Sequence, residues 1–483
     1  MTHRKLYSGF RIKMTSSQTY ELSISEAGDL LKKKELSPIE LVEDHIKRIE
    51  TKDNALNSFI TKTFDKAIDR AKDCEEEISK GQWKGALHGI PLAIKDLFYT
   101  KDIPTTVGSE MYKQFIPDFN ATVVEKLESS GAILIGKLNM HELAFGTTGK
   151  NFYYGDCTNP WDTKKITGGS SSGSAAAVSA GLCMGSLGTD TGGSIRIPAA
   201  LCGIVGLKPT FGKVSRKGVF PLSNSLDTVG PMTRTVQDSQ IILSAISGHD
   251  PQDRHSAKFE ETDIQVAQPV KLEDLKIAVP TDYFFDHISD SVNTAFNEVI
   301  NVLQSLGIKT NNVNMPILNH SLAISSTILM AEAANIHGEN LKKHGNLIGP
   351  DVLLRLKQGS MILASDYLQA QRARQKFNLE MKSLFDDYDL ILSPTVAVTA
   401  PDLSQELVSI NGKSHATGAL MPRLTRPQNI TGLPTISIPC GFDEHNMPIG
   451  FQLTTAAFQE SRLIQVGAAY EKEAGWLKYS PNI

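Results

Sequence analysis

The sequence predicts an α/β protein, and three observations carry the prediction. From about residue 85, short apolar runs alternate with helical stretches. Strand-like runs return after a mainly helical stretch at residues 290 to 385. Alternation of strand and helix is the pattern of a sheet covered by helices, and strands on both sides of the helical stretch point to one sheet with an insertion. At 483 residues, the chain has room for two or three domains or for one large α/β domain. With 40% hydrophobic and 21% charged residues it has ample material for a core.

The elements follow in order. In "LSPIELVEDHIKRIE", Ser37 is placed to cap a helix, Pro38 suits its first turn, and Glu40 completes a capping box. "GIPLAIKD" and "GAILIGK" read as buried strands, with "NATVVEKLESSG" between them as a helix ending in glycine. Residues 247 to 275 are polar and irregular and read as an exposed loop or boundary. "LILSPTV", "TISIPCGF" and "IGFQLTT" are strand-like, and "SRLIQVGAAYEKEAGW" is a last helix. The sequence contains no internal repeat and no low-complexity tract.

Charge and cysteine content narrow the setting. A balance of 49 basic against 53 acidic residues gives −4, with no surplus positive charge to recruit nucleic acid or anionic lipid. The five cysteines are scattered, without CxxC pairs, which fits a reducing compartment and neither a disulfide framework nor a zinc site. The N-terminal stretch has no apolar core of a secretory signal, and Met14 offers a second start besides Met1. No segment reaches the roughly 18 apolar residues of a membrane span, so the expected location is the cytoplasm.

Chemistry concentrates in two Gly-Gly-Ser turns, "KITGGSSSGSAAA" and "GTDTGGSIRIP", whose serines Ser170 and Ser194 stand 24 positions apart. Ser171 formally matches the nucleophile of a G-x-S-x-G elbow, but the preceding "NPWDTKKIT" is polar and no strand leads into it. The chain has no dinucleotide, P-loop, HExxH or calcium-loop pattern, and His141 and Glu142 in "NMHELAF" read as solvent-facing or structural. Taken singly, each Gly-Gly-Ser is an ordinary turn or helix start. A lysine on an apolar strand changes that balance. Burial lowers its pKa from ~10.4 and makes it a base able to activate a serine. Lys95 and Lys137 both sit on such runs, and position on a strand does not choose between them. Consecutive glycines before a serine let backbone N–H groups converge as an oxyanion hole requires.

At residues 165 to 220, "KITGGSSSGSAAAVSAGLCMGSLGTDTGGSIRIPAALCGIVGLKPTFGKVSRKGVF", the sequence resembles the amidase signature family. The likeness extends through "ALHGIPLAIKDLF", "GKLNMHELAFGTTGKNFYYGDCTNPWD", "SLDTVGPMTRTVQD" and "GLPTISIPCGFDEHNMPIGFQLT". It implies one twisted mixed sheet covered by helices on both faces, in a single domain over residues 1–483. The signature core would lie at about 85–246 and a variable, substrate-side helical region at about 276–385. It also implies a Ser–Ser–Lys triad: Ser194 as nucleophile, Ser170 as bridging serine after a cis Gly169–Ser170 peptide, and Lys95 as base. Backbone N–H groups of Thr191, Gly192, Gly193 and Ser194 would form the oxyanion hole, with Ser171, Asp190 and Arg196 supporting the loop. The implied reaction is amide hydrolysis to a carboxylic acid and ammonia or amine through an acyl-enzyme, with no metal or organic cofactor.

Two members of that family offer themselves as templates: a free-standing amidase, and the A subunit of the tRNA-dependent amidotransferase, which hydrolyses glutamine for a partner protein. Three departures point to the former. Ile197 stands where the amidotransferase has glutamine, Ser172 where it has glycine, and Pro422 where an aspartate would partner Arg355 around the substrate glutamine. The expectation is therefore a free-standing amidase acting on a small-molecule amide, without nucleic acid or membrane partners, in a family where homodimers are common.

Overall fold

Eleven strands form one sheet in the computed structural model of the protein, which describes residues 19–259 and 270–483. The alternative start at Met14 and the N-terminal stretch expected to carry no secretory signal, up to residue 18, lie outside the described residues, as does part of the 247–275 loop. In chain order the strands are β1 (Phe59–Lys62), β2 (Pro91–Lys95), β3 (Ile133–Leu138), β4 (Gly185–Asp190), β5 (Val205–Lys208) and β6 (Thr228–Thr233). There follow β7 (Lys276–Pro280), β8 (Lys309–Val313), β9 (Leu390–Pro394), β10 (Thr435–Phe442) and β11 (Pro448–Thr455). Their spatial order is β1-β3-β2-β4-β6-β5-β10-β11-β9-β7-β8. β2 runs parallel to both β3 and β4, and β7 parallel to both β8 and β9; the other pairings are antiparallel, so the sheet is mixed.

The helices that matter for the site are α1 (Pro38–Leu56), α2 (Thr122–Ser129), α3 (Ser172–Ser179), α4 (Arg196–Cys202) and α5 (Asp290–Ser305). Then come α6 (Ser321–Ile336), α7 (Pro350–Gly359), α8 (Ala364–Ser383), α9 (Arg426–Thr431) and α10 (Glu460–Ala474). α1 starts as its sequence dictates: Ser37 Oγ accepts from the backbone N–H of Ile39 and Glu40, and the Glu40 carboxylate accepts from the Ser37 N–H. Among the described residues no helix is long and apolar enough to cross a membrane.

α3 shows why the serine–alanine run is so small. A Cβ at Gly173 would meet Ser58 O at 2.3 Å and Asn139 N at 2.6 Å, so the helix approaches backbone at a distance only glycine permits. Ala175, Ala176 and Ala177 are fully buried beside it. The serines do not cap. Ser172 Oγ donates to Asn139 O and Ser174 Oγ to Leu187 O, and α3 has no side-chain cap at all.

β8 departs from the expected texture. Its "KTNNV" has no apolar run, because it is the edge strand of the sheet and leaves most of its side chains to solvent. The rest of the 290–385 stretch is helical, as α5 to α8. β2 and β4 pair in parallel, Ile94 opposite Leu187, and both finish at the same edge. That delivers Lys95 and the Thr189–Asp190 end of β4 to one place, the carboxyl edge at which α/β sheets bind ligands.

Candidate active site

Lys95 is the last residue of β2 and is fully buried. Its Nζ donates to Ser170 Oγ at 2.8 Å and to Thr189 Oγ1 at 2.9 Å, and among the described residues no carboxylate forms an ion pair with it. Burial lowers the Lys95 ammonium to about 7, a fall that the charges of Asp227 and Asp190 only partly offset. Lys137 meets a different fate. Its Nζ lies 3.0 Å from Asp96 Oδ1 and donates to Phe98 O and Thr105 Oγ1, so it is committed to an ion pair. The structure thus separates two lysines that look alike in sequence: one is held by hydroxyls, the other by a carboxylate.

The first Gly-Gly-Ser turn carries a cis Gly169–Ser170 peptide. The second is organised by Asp190. Its carboxylate accepts from the backbone N–H of Gly193, Ile195 and Arg196 and from the Arg196 side chain, with Nε at 3.1 Å. Burial alone would raise the Asp190 carboxyl, but the Arg196 guanidinium and Asn429 outweigh it and bring it down to about 2. Arg196 is itself fully buried and donates further to Gln428, Gln452, Asn429 and Thr425 O. A Cβ on Gly193, at φ +124°, would fall 2.1 Å from Thr425 Oγ1, so the turn is closed to any other residue. The two turns meet where the Ser171 N–H donates to Ser194 O at 3.3 Å, and Ser171 Oγ bonds both backbone groups of Thr189.

One expectation is corrected here. Gly193 does not offer its N–H to an oxyanion, because that N–H donates to Asp190 Oδ1 at 2.8 Å. Of the four amides named, those of Thr191, Gly192 and Ser194 remain for the purpose. Thr191 is fixed through its hydroxyl, which donates to Asp227 Oδ1 at 2.6 Å.

Ser194 opens onto a cavity of about 350 Å³ whose wall includes Thr191, Gly192, Leu222, Met330, Pro422 and the arginines 355 and 426. The wall helix α7 is pinned to the loop after β3. His141 is buried and its Nε2 lies 2.9 Å from Asp351 Oδ2; Glu142 accepts from Ser109 Oγ and from the Gly349 N–H. Arg355 Nη1 donates to Phe145 O. His141 and Glu142 are buried in these contacts, so of the two expected roles the structural one holds and the solvent-facing one does not. Sequence reasoning missed Thr189, Thr425, Gln428, Asn429 and Gln452, single polar residues inside apolar strands and helix starts whose only signal is that burial demands a partner.

Three outcomes follow from this geometry. Ser194→Ala should lose amide hydrolysis by at least about a thousandfold while unfolding at the parent temperature; substantial turnover by the folded variant would remove Ser194 as nucleophile. Activity should fall as pH drops through about 7, where Lys95 takes up its proton. In the unfolded chain the same lysine holds its proton to about 10.5, so between these values the unfolded state binds more protons and stability rises with pH. Lys95→Met should be inactive, at least as stable as the parent, and without that rise; a flat pH–rate profile in the parent would reassign the base. Asp190→Ala should cost ~3–5 kcal/mol in urea unfolding, because it strands the Arg196 charge in the interior; a loss under ~1 kcal/mol would mean that the amide ligands of Arg196 suffice alone.

The family model for amidases matches residues 40–464. The A subunit of glutamyl-tRNA(Gln) amidotransferase from Chloroflexus aurantiacus is 36% identical over 490 residues, covering 97% of this chain and 99% of that protein. Among solved structures, a chain from a vestigial complex tied to the origins of an s-triazine catabolic enzyme superposes with a TM-score of 0.89 at 30% identity, covering 94% of this chain and 99% of its own. The A subunit of the same amidotransferase from Thermotoga maritima superposes with a TM-score of 0.78 at 32% identity, covering 94% of this chain and 95% of its own. Two expectations change accordingly. A nearer likeness to free-standing amidases finds no support, since the curated relative from Chloroflexus aurantiacus, matched over nearly its whole length, is named as an amidotransferase subunit, while a solved amidase matches at 33% identity. The expectation of a small-molecule amide as the only partner is overturned by the same names, each that of one subunit of an enzyme with further protein subunits. What the departures at Ile197, Ser172 and Pro422 do not alter is the fold, the signature core and the chemistry they belong to: the chain is a member of the amidase family, an amide hydrolase acting on carbon–nitrogen bonds.

Proposed function

We propose that this chain is the amide-hydrolysing component of an amidotransferase-like assembly, cleaving a primary carboxamide, glutamine first among candidates, and releasing ammonia to a partner protein. The observation that carries this reading is similarity to amidotransferase A subunits along the whole of both chains. Two arginines at the cavity wall, Arg355 and Arg426, support it as cations for a substrate that carries a carboxylate.

The chemistry proposed runs through Lys95, Ser170 and Ser194. Neutral Lys95 takes the Ser170 proton along the 2.8 Å contact, and Ser170 takes that of Ser194 as its oxygen attacks the amide carbonyl. The free amides of Thr191, Gly192 and Ser194 face the developing oxyanion, each such donor being worth roughly 3–4 kcal/mol. The relay reverses to protonate the departing nitrogen, the acyl-enzyme forms, and water then releases the carboxylic acid.

A second reading, hydrolysis of an amide other than glutamine, is favoured by one observation. Among the described residues no Asp or Glu lines the cavity, and Pro422 stands where a carboxylate would meet the α-ammonium of glutamine. An unmatched ammonium in a partly dry cavity weakens binding. The deciding assay measures ammonia from glutamine, hexanamide and benzamide, with and without the other amidotransferase subunits and charged tRNA. Glutamine should win, and more so with the partners present. Release from the neutral amides by the chain alone, with glutamine the poorest substrate, would establish the second reading in its place.

A further inference from the structure

The cavity beside Ser194 is walled by two guanidinium groups, and they are not equivalent. Arg355, on α7, donates Nη1 to Asp351 Oδ2 at 2.9 Å, so its charge is answered one turn away on its own helix. Arg426 is the first residue of α9 and half-buried. Its Nη1 donates to Ser325 Oγ at 3.1 Å and to Ser326 Oγ, both neutral hydroxyls on α6. Among the described residues no carboxylate pairs with it. Burial lowers its pKa only to about 10, which leaves it a cation at neutral pH.

A cation withdrawn from water without a counter-charge is unfavourable, and proteins keep such groups where a ligand completes them. The two serines hold a single nitrogen of the guanidinium, Nη1, and the planar group carries further donors for a carboxylate. Leu222, Leu329 and Met330 line the same cavity and provide an apolar wall for a short hydrocarbon link between the reacting amide and a distant charge. We infer that Arg426 is an anion-binding residue of the cavity, and that the amide substrate carries a carboxylate at the end remote from the scissile bond. The inference rests on Ser194 being the nucleophile. It applies to glutamine and to acidic half-amides alike, and it excludes neutral aliphatic and aryl amides as preferred substrates.

The test compares two amides of one length, the monoamide of glutaric acid and pentanamide, which differ in a carboxylate against a methyl group. In the parent protein kcat/KM should favour the acidic amide by about 10–150-fold, the worth of a charged hydrogen bond, and the difference should lie in KM. In Arg426→Gln that ratio should collapse to within about threefold of one, while Arg426→Lys keeps much of it. A parent protein without the preference, or a preference that survives Arg426→Gln, overturns the inference; so does a ratio that moves through kcat alone. If neither amide is hydrolysed under any condition, the catalytic reading fails first, and calorimetry on Ser194→Ala settles Arg426 separately. Binding of the acidic amide and not of pentanamide supports it, and equal binding or none overturns it. Should Arg426→Gln not fold, the parent ratio and Arg426→Lys decide.

Discussion

The buried ion pair of Asp190 and Arg196 is the constraint on which the rest of the site depends. Neither side chain is accessible, and each is saturated by the other and by surrounding polar groups. A fully buried pair of this kind contributes little net stability compared with apolar residues of the same volume. What it does provide is a shape. Both oxygens of the Asp190 carboxylate receive donors from the following turn, so the chain between residues 190 and 196 has one conformation available. Arg196 then ties that turn to α9 through Asn429 and Gln428 and to β11 through Gln452. Strand, turn and two distant elements are referred to a single point, and Ser194 sits in the middle of it.

The same economy governs Lys95. Lys95 and Asp96 are sequence neighbours, yet Asp96 pairs with Lys137 on the adjacent strand. Asp96 follows the end of β2 and continues its pairing with β3, so the alternation of an extended chain that puts Lys95 among hydroxyls turns the neighbouring carboxylate to the side of Lys137, which pairs opposite Ile94. A lysine one residue from an aspartate is thereby left without a counter-charge, and its proton is made loose by topology.

Much of this was legible in the residues. The apolar runs of β2 and β3, the capping box of α1 and the return of strands after residue 385 follow from periodicity and turn chemistry alone. β8 was not legible because an edge strand with solvent on both sides has no alternation to detect. The serines before α3 mimic a cap in sequence and serve as packing and cross-links in space, since the helix is enclosed on every side. Strand position alone left Lys95 and Lys137 alike, and only the family resemblance preferred Lys95. What separates them physically, hydroxyls against a carboxylate, needed the third dimension. So did the use of the Gly193 amide, which depends on where the carboxylate of Asp190 points. Arg426 left a faint trace only: an arginine opening a short helix, with no acidic residue three or four positions away to balance it.

His141 joins the two halves of the site in a way that bears on how such an enzyme changes over generations. Its backbone N–H donates to Ser170 O at 3.1 Å, and its ring meets Asp351 at the base of the cavity wall. One side of this residue thus holds the Ser170 turn and the other the cavity wall. Replacements in α7 that shift Asp351 reach Ser170 through two hydrogen bonds. Substrate range is therefore most easily altered along the wall segment that neither His141 nor Arg196 holds, α6, where residues can be exchanged with Lys95, Ser170 and Ser194 left undisturbed.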